Sequence, residues 1–66
     1  MTEAAVLFEL RQQIGIITLN QPERRNCMSP ALLDGFSAAV ASARAEADMR
    51  CLFLTGRGSC FSAGAD

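Results

Sequence analysis

Histidine, lysine, tyrosine and tryptophan are all missing from this chain of 66 residues. Without histidine, the sequence lacks the commonest metal ligand and the commonest general base near neutral pH. The absence of lysine excludes a Schiff-base lysine and the lysine of a phosphate-binding P-loop. Because there is no tyrosine or tryptophan, aromatic stacking platforms are excluded as well. We therefore expect no metal site, and chemistry that depends on backbone groups and carboxylates.

Charges of the two signs nearly cancel. The formal net charge is -1, so no basic field attracts phosphates and we expect no nucleic-acid partner. Residues 1–4 carry an acid where a signal peptide has its positive region, and no apolar run approaches the roughly 18 residues that cross a membrane. We expect a cytoplasmic chain without a membrane partner. The cysteines at 27, 51 and 60 form no CxxC pair, which indicates reduced thiols.

The sequence does contain the pattern of a small α/β fold. Runs rich in branched residues predict strands over 6–11 and 14–19, paired as an antiparallel hairpin. Ser29 followed by proline is typical of a helix start, and apolar residues spaced three and four apart predict a helix over 30–47. The continuous apolar run over 51–55 is typical of a parallel strand covered on both faces. Because it follows a helix, it is expected to run parallel to one of the first two strands.

A glycine-rich segment follows the last predicted strand, at the position where open α/β sheets usually bind ligands. It matches neither the dinucleotide fingerprint, since Phe61 stands where a glycine or alanine is needed, nor a P-loop. From spacing alone, a turn between a strand and a helix is the favoured interpretation of these glycines. Asp66 has the character of a helix N-cap with no helix behind it, which predicts a truncated chain.

Two motifs flank the predicted helix: Asn20 to Met28 reads NQPERRNCM, and Phe61 to Asp66 reads FSAGAD. Together they strongly resemble the crotonase (enoyl-CoA hydratase/isomerase) superfamily, whose pattern is close to Asn-x-Pro, Arg-Asn-Ala-Leu or Met, and later Phe-x-Ala-Gly-x-Asp. The resemblance covers residues 6–66. It implies an α/β fold, the N-terminal ββαβ portion of a crotonase-like (ClpP/crotonase) spiral. Residues 1–66 would then be the N-terminal part of a single domain, truncated after the first oxyanion-hole loop.

The same resemblance implies a binding site for the bent coenzyme A moiety, held between two walls. The residues of these walls are Arg25, Asn26, Cys27 and Met28 on one side, and Ala63, Gly64 and Ala65 on the other. The backbone N–H of Ala65 is implied to be one of two oxyanion-hole donors, while Asp66 has a structural role. Such a site needs preorganised amides and small side chains rather than ionisable groups. Cys27 departs from the usual alanine and adds a sulfur beside the expected pantetheine path.

The activity that the resemblance implies is that of an enoyl-CoA hydratase, a lyase of fatty acid metabolism that adds water to the 2,3 double bond. Two alternatives stay open: another coenzyme A thioester reaction of the family, such as isomerisation, hydrolysis or decarboxylation, and a non-catalytic remnant. The second oxyanion donor and the two glutamates of hydratases have no counterpart in this chain, so the 66 residues alone are expected to be inactive. No separate cofactor is implied, because coenzyme A is part of the acyl-CoA substrate. The full-length protein is expected to be a homotrimer or hexamer.

Overall fold

Three strands and one helix make up the fold, in a computed structural model that describes residues 4–59, 61, 62 and 64. The elements are, in chain order, β1 (Val6–Arg11), β2 (Ile14–Leu19), a short 3-10 turn (Pro22–Arg24), α1 (Pro30–Arg44) and β3 (Cys51–Gly56). The central strand is β2, which pairs antiparallel with β1 and parallel with β3. The predicted hairpin and the predicted parallel third strand are therefore both confirmed.

The core lies between α1 and one face of the β1–β2 hairpin. The buried apolar residues of this core come from β1, β2 and α1: Val6, Ile17, Leu19, Leu32 and Ala39. The partly buried side chains of Phe8, Phe36 and Val40 pack against them. Along β2 the buried positions alternate with half-buried ones, because successive side chains of a strand point to opposite faces. Since α1 lies over β1 and β2, the carboxyl end of β2 and the start of α1 are held close together.

The start of α1 agrees with the predicted signal, but its end does not. Ser29 is the N-cap, and its hydroxyl accepts a hydrogen bond of 3.3 Å from the backbone N–H of Leu32. The helix ends at Arg44, short of the predicted Ala47. At this end the Ala45 N–H bonds to both Ala41 and Ser42, which tightens the last turn toward 3-10 geometry. Residues 44–48 are exposed, so their helix propensity has no packing to support it.

The third strand is less covered than its sequence predicts. Every residue of β3 from Cys51 to Thr55 is exposed, and Phe53 is 60% exposed. The expectation of cover on both faces is therefore wrong for the part of the chain that the structure describes. The physical reason is the position of α1, which packs mainly against β1 and β2.

Among the described residues, no helix combines the length and the apolar character needed to span a membrane.

Candidate functional site

The loop between β2 and α1 lies directly against the segment that follows β3. We call residues 20–29 the first loop, the described residues of 57–64 the second loop, and their contact the loop interface. The Met28 N–H donates to the carbonyl oxygen of Gly64 at 2.9 Å, and the Ser62 hydroxyl donates to the carbonyl oxygen of Asn26 at 2.7 Å. The two predicted walls thus meet through backbone groups. Three of the predicted site residues, Ala63, Ala65 and Asp66, lie outside the described residues.

Asn26 lies at the centre of the loop interface with a side chain that is 0% exposed. Its Oδ1 atom accepts a hydrogen bond of 2.8 Å from the backbone N–H of Gln21. Its Nδ2 atom donates to the carbonyl oxygens of Arg57 at 3.1 Å and Phe61 at 2.9 Å. One amide group therefore connects one backbone group of the first loop with two of the second, and both of its polar atoms have partners inside the protein.

The first loop reaches this geometry through two consecutive residues in the left-handed region. After the 3-10 turn, Arg25 and Asn26 both have φ of 53°. Asparagine is among the residues that tolerate this conformation best, and the Arg25 N–H is satisfied by the carbonyl oxygen of Pro22. In this conformation the residues of the predicted first wall differ in exposure: Arg25 is exposed, Cys27 is half-buried, and Met28 is 38% exposed.

Two glycines allow the second loop to come this close. A Cβ atom at Gly56 would lie 2.7 Å from the carbonyl oxygen of Phe61 and 2.9 Å from Nδ2 of Asn26. A Cβ atom at Gly58, where φ is +94°, would lie 2.8 Å from Cβ of Pro22. These glycines therefore permit close packing of the two loops. Their spacing in the sequence predicts only a turn between a strand and a helix.

A second polar contact fixes the base of the second loop. The Arg57 N–H donates to the carbonyl oxygen of Leu19 at 2.9 Å, which extends the sheet by one bond. The Arg57 guanidinium donates to Oδ1 of Asn20 at 3.2 Å, and Nδ2 of Asn20 donates to the carbonyl oxygen of Ala4 at 3.0 Å. Sequence reasoning did not single out Arg57 or Asn20 as interacting partners, because they are 37 positions apart and no local pattern connects them.

An apolar cavity of about 200 Å³ adjoins the loop interface. Its lining combines core residues with side chains of both loops: Leu19, Met28, Leu32, Leu33, Phe36, Leu54 and Phe61. Several of these residues belong to the apolar stripe that predicted the helix, so a sequence signal existed for the packing but none for a cavity. The lining offers contacts to an apolar group and no hydrogen bonds from its side chains.

The described carboxylates are kept away from the interior of this site. In the part of the chain that the structure describes, the carboxylates are all exposed: Glu9, Glu23, Asp34, Glu46 and Asp48. Within the same residues there is no cluster of histidine, cysteine, aspartate or glutamate that could hold a metal ion. The described loop interface thus contributes backbone amides, neutral side chains and one guanidinium, a set suited to binding and orientation.

Comparison with known proteins identifies the family of this chain. The model of the enoyl-CoA hydratase/isomerase family matches residues 9–66, and the chain belongs to that family. The structure of an enoyl-CoA hydratase from Mycobacterium marinum is 44% identical and superposes with a TM-score of 0.90, covering 96% of this chain and 32% of that one. The structure of an enoyl-CoA hydratase from Mycobacterium tuberculosis is 40% identical and superposes with a TM-score of 0.85, covering 94% of this chain and 28% of that one.

A curated relative from Mycobacterium bovis, named "Probable enoyl-CoA hydratase echA8", is 33% identical over 66 residues. The match spans 100% of this chain and 26% of that relative, so the chain covers about a quarter of its length. The resemblance and the fold class inferred from the sequence are both confirmed by these matches.

Proposed function

We propose that this chain supplies the coenzyme A wall and one oxyanion donor of a site that adds water to the 2,3 double bond of an enoyl-CoA thioester. The observation that carries the proposal is the hydrogen bond of 2.9 Å from the Met28 N–H to the Gly64 carbonyl oxygen. It joins the two segments that the family pattern assigns to coenzyme A, across 36 positions between 28 and 64 of the sequence. Family membership supplies the substrate class.

The proposed roles divide between the two loops. Arg25, Cys27 and Met28 form the first wall, and Ala63, Gly64 and Ala65 form the second. The backbone N–H of Ala65, which follows Gly64 in the sequence, donates to the thioester oxygen as negative charge develops on it. A preorganised amide of this kind stabilises an enolate without any proton transfer of its own. The apolar cavity beside Met28 fits the uncharged part of such a substrate.

Another reaction of a coenzyme A thioester is the second candidate, because an isomerase, a hydrolase or a decarboxylase of the family would use the same wall and the same donor. The family description itself names both hydratase and isomerase. The cytoplasmic location, the homotrimer or hexamer, and the part in fatty acid metabolism stay predictions.

The test of the proposed wall and donor is a segment exchange with the enoyl-CoA hydratase of Mycobacterium tuberculosis, whose structure superposes on this chain. Residues 6–66 replace the matching segment of that enzyme, and the chimera is assayed with crotonyl-CoA. We expect hydration of crotonyl-CoA to be retained. A folded chimera that neither binds nor hydrates crotonyl-CoA contradicts the proposal.

The test of the donor is the A65P substitution in the same chimera. Proline removes the N–H, so kcat should fall by about 10² to 10³. The matched variant A65S keeps the N–H and should have a mild effect. Proline also restricts φ, so coenzyme A binding is measured by calorimetry and should change by less than about tenfold. If A65P keeps a normal kcat while coenzyme A still binds, the assignment of the donor is wrong.

A further inference from the structure

The side chain of Asn26 has no surface on which a ligand could bind. It is fully buried, its Oδ1 atom faces the Gln21 N–H, and its Nδ2 atom faces the carbonyl oxygens of Arg57 and Phe61. The family pattern places this residue in the coenzyme A wall, yet its amide is directed into the protein. Its contribution to the site must therefore act through the residues that it holds.

The residues that it holds are the two sides of the loop interface. Gln21 belongs to the first loop, whereas Arg57 and Phe61 belong to the second, at separations of 31 and 35 positions from Asn26. The Ser62 hydroxyl adds a bond to the Asn26 carbonyl oxygen and also accepts a bond from the Gly64 N–H at 3.2 Å. A series of hydrogen bonds thus leads from the Asn26 backbone carbonyl through the Ser62 hydroxyl to Gly64, whose carbonyl oxygen accepts from Met28. The Asn26 side-chain amide supports this series by holding Phe61, the residue before Ser62.

The chemistry of this position admits no ordinary substitute. An aspartate has the same shape and keeps the acceptor, but it loses both donors and would place a carboxylate against two carbonyl oxygens. A leucine of similar size removes the hydrogen bonds that Asn26 makes to three backbone groups, which is unfavourable in a buried site. Glutamine is longer, and the backbone already approaches closely, since even a Cβ atom at Gly56 would lie 2.9 Å from Asn26 Nδ2.

We propose that Asn26 is a positioning residue of the acyl-CoA site: its amide fixes the second loop against the first and so sets the distance between the two coenzyme A walls. The part of this proposal that concerns acyl-CoA rests on the function proposed above. The part that concerns the two loops rests on the described residues, of which Met28 and Gly64 belong to the two walls.

The first experiment measures amide hydrogen exchange by NMR in the 66-residue chain and in three variants, N26D, N26A and I17V. N26D removes the donors only, N26A removes the donors and the acceptor, and I17V shortens a fully buried core side chain without touching either loop. We expect protection of the Met28 amide to fall by about tenfold or more in N26D, relative to the amides of the β1–β2 ladder. Protection of the Gln21 amide should survive in N26D and be lost in N26A.

The I17V control separates positioning from general instability. Loss of a core methylene should lower the protection of Met28 and of the ladder amides together. If N26D behaves like I17V, or if Met28 keeps its protection in N26D, Asn26 does not fix the two walls and the proposal is overturned. Should the Asn26 variants fail to fold, G56A tests the same contact from the other side, because the added Cβ pushes on Phe61 and on Asn26 Nδ2. Met28 should again lose protection before the ladder does.

The second experiment titrates the same variants with crotonyl-CoA. Wild type and I17V should bind with similar affinity, whereas N26D should bind at least about tenfold more weakly, because the wall distance is no longer fixed. Equal affinity of N26D and wild type overturns the role of Asn26 in the acyl-CoA site. Absence of binding by wild type contradicts the proposed function for this chain, while the exchange data still decide whether Asn26 holds the walls.

Discussion

Two buried asparagines of the first loop differ in what surrounds their oxygen atoms. Oδ1 of Asn26 accepts from a backbone N–H and its Nδ2 faces two carbonyl oxygens, whereas Oδ1 of Asn20 accepts from the guanidinium of Arg57. Replacing the amide by a carboxylate is therefore unfavourable at position 26, where it would face two carbonyl oxygens. At position 20 the same change is partly compensated, because a carboxylate is a stronger acceptor for the Arg57 guanidinium.

This contrast predicts the stability of a matched pair of variants. N26D should destabilise the chain by about 1 to 3 kcal/mol or more, since two buried carbonyl oxygens lose their donors and face a negative charge. N20D should have a clearly smaller effect, because it loses the bond to Ala4 but strengthens the contact with Arg57. Urea denaturation followed by circular dichroism gives both values. Equal losses in the two variants would contradict the hydrogen-bond geometry described for Asn26.

Sequence reasoning at this scale singled out two segments that the structure brings into contact, and their roles in ligand binding stay predictions. The motif around Asn26 was assigned to ligand binding, and the structure adds that its side chain serves the protein interior. A left-handed asparagine followed by a buried contact 35 positions away has no local signature, so residue identity alone does not distinguish a ligand contact from an internal one. The predicted donor at Ala65 stays a prediction.

At the scale of elements, the connection between the first loop and α1 depends on Ser29. Its hydroxyl accepts from the Leu32 N–H and donates to Oε1 of Gln21 at 3.2 Å. The side chain thus caps the helix and also ties the cap to the loop that carries the site.

Removal of this hydroxyl should weaken the helix and the loop together. We expect S29A to lower the free energy of unfolding by about 1 kcal/mol, and by up to about 2, the usual range for loss of an N-cap. S37A, at an exposed position within α1, is the matched control and should leave stability unchanged or slightly raised, because alanine is the better helix former. Denaturant melts of both variants test this. A harmless S29A would mean that Pro30 alone is sufficient to start the helix.

The elements themselves were predictable because their signals are local. Branched residues in short runs, a serine and proline pair, and apolar residues at helical spacing define β1, β2 and the start of α1. The end of the helix was not predictable in the same way, since alanines continue past Arg44 and only the absence of packing stops it. The exposure of β3 likewise depends on where α1 lies, which no single segment encodes.

On the scale of the whole molecule, an apolar strand lies at the edge of the sheet. In the described part of the chain β3 pairs with β2 alone, and Leu52, Phe53 and Leu54 are all exposed. Exposed apolar edge strands promote association, and one helix over one face leaves a small core.

We therefore expect the 66-residue chain to be marginally stable and to associate as its concentration rises. F53K should reduce the association measured by sedimentation velocity, and Q13K, which adds the same charge in the exposed β1–β2 turn, is the control. A monomeric wild-type chain that unfolds cooperatively above about 60 °C, near the top of the range for complete mesophile domains, contradicts this expectation.

A further expectation at this scale is that the chain alone does not hydrate crotonyl-CoA. The described carboxylates are all exposed, and each absent proton-transfer group lowers the rate by about 10² to 10⁴. A sensitive assay with purified chain should give background rates. Turnover that A65P abolishes would show that this chain carries its own acid and base.

The long separation between the partners of Asn26 also has a consequence for folding. The hairpin closes through neighbours in sequence, whereas the loop interface must bring together residues 31 and 35 positions apart. Contacts between distant residues form late, because the entropy lost in closing a long loop precedes any gain from the contact. The parallel partners of β2 and β3, such as Ile14 and Cys51, are 37 positions apart, so we expect the loop interface to assemble together with this pairing and after the hairpin. A bound thioester that contacts both loops would then stabilise the part of the fold that forms late.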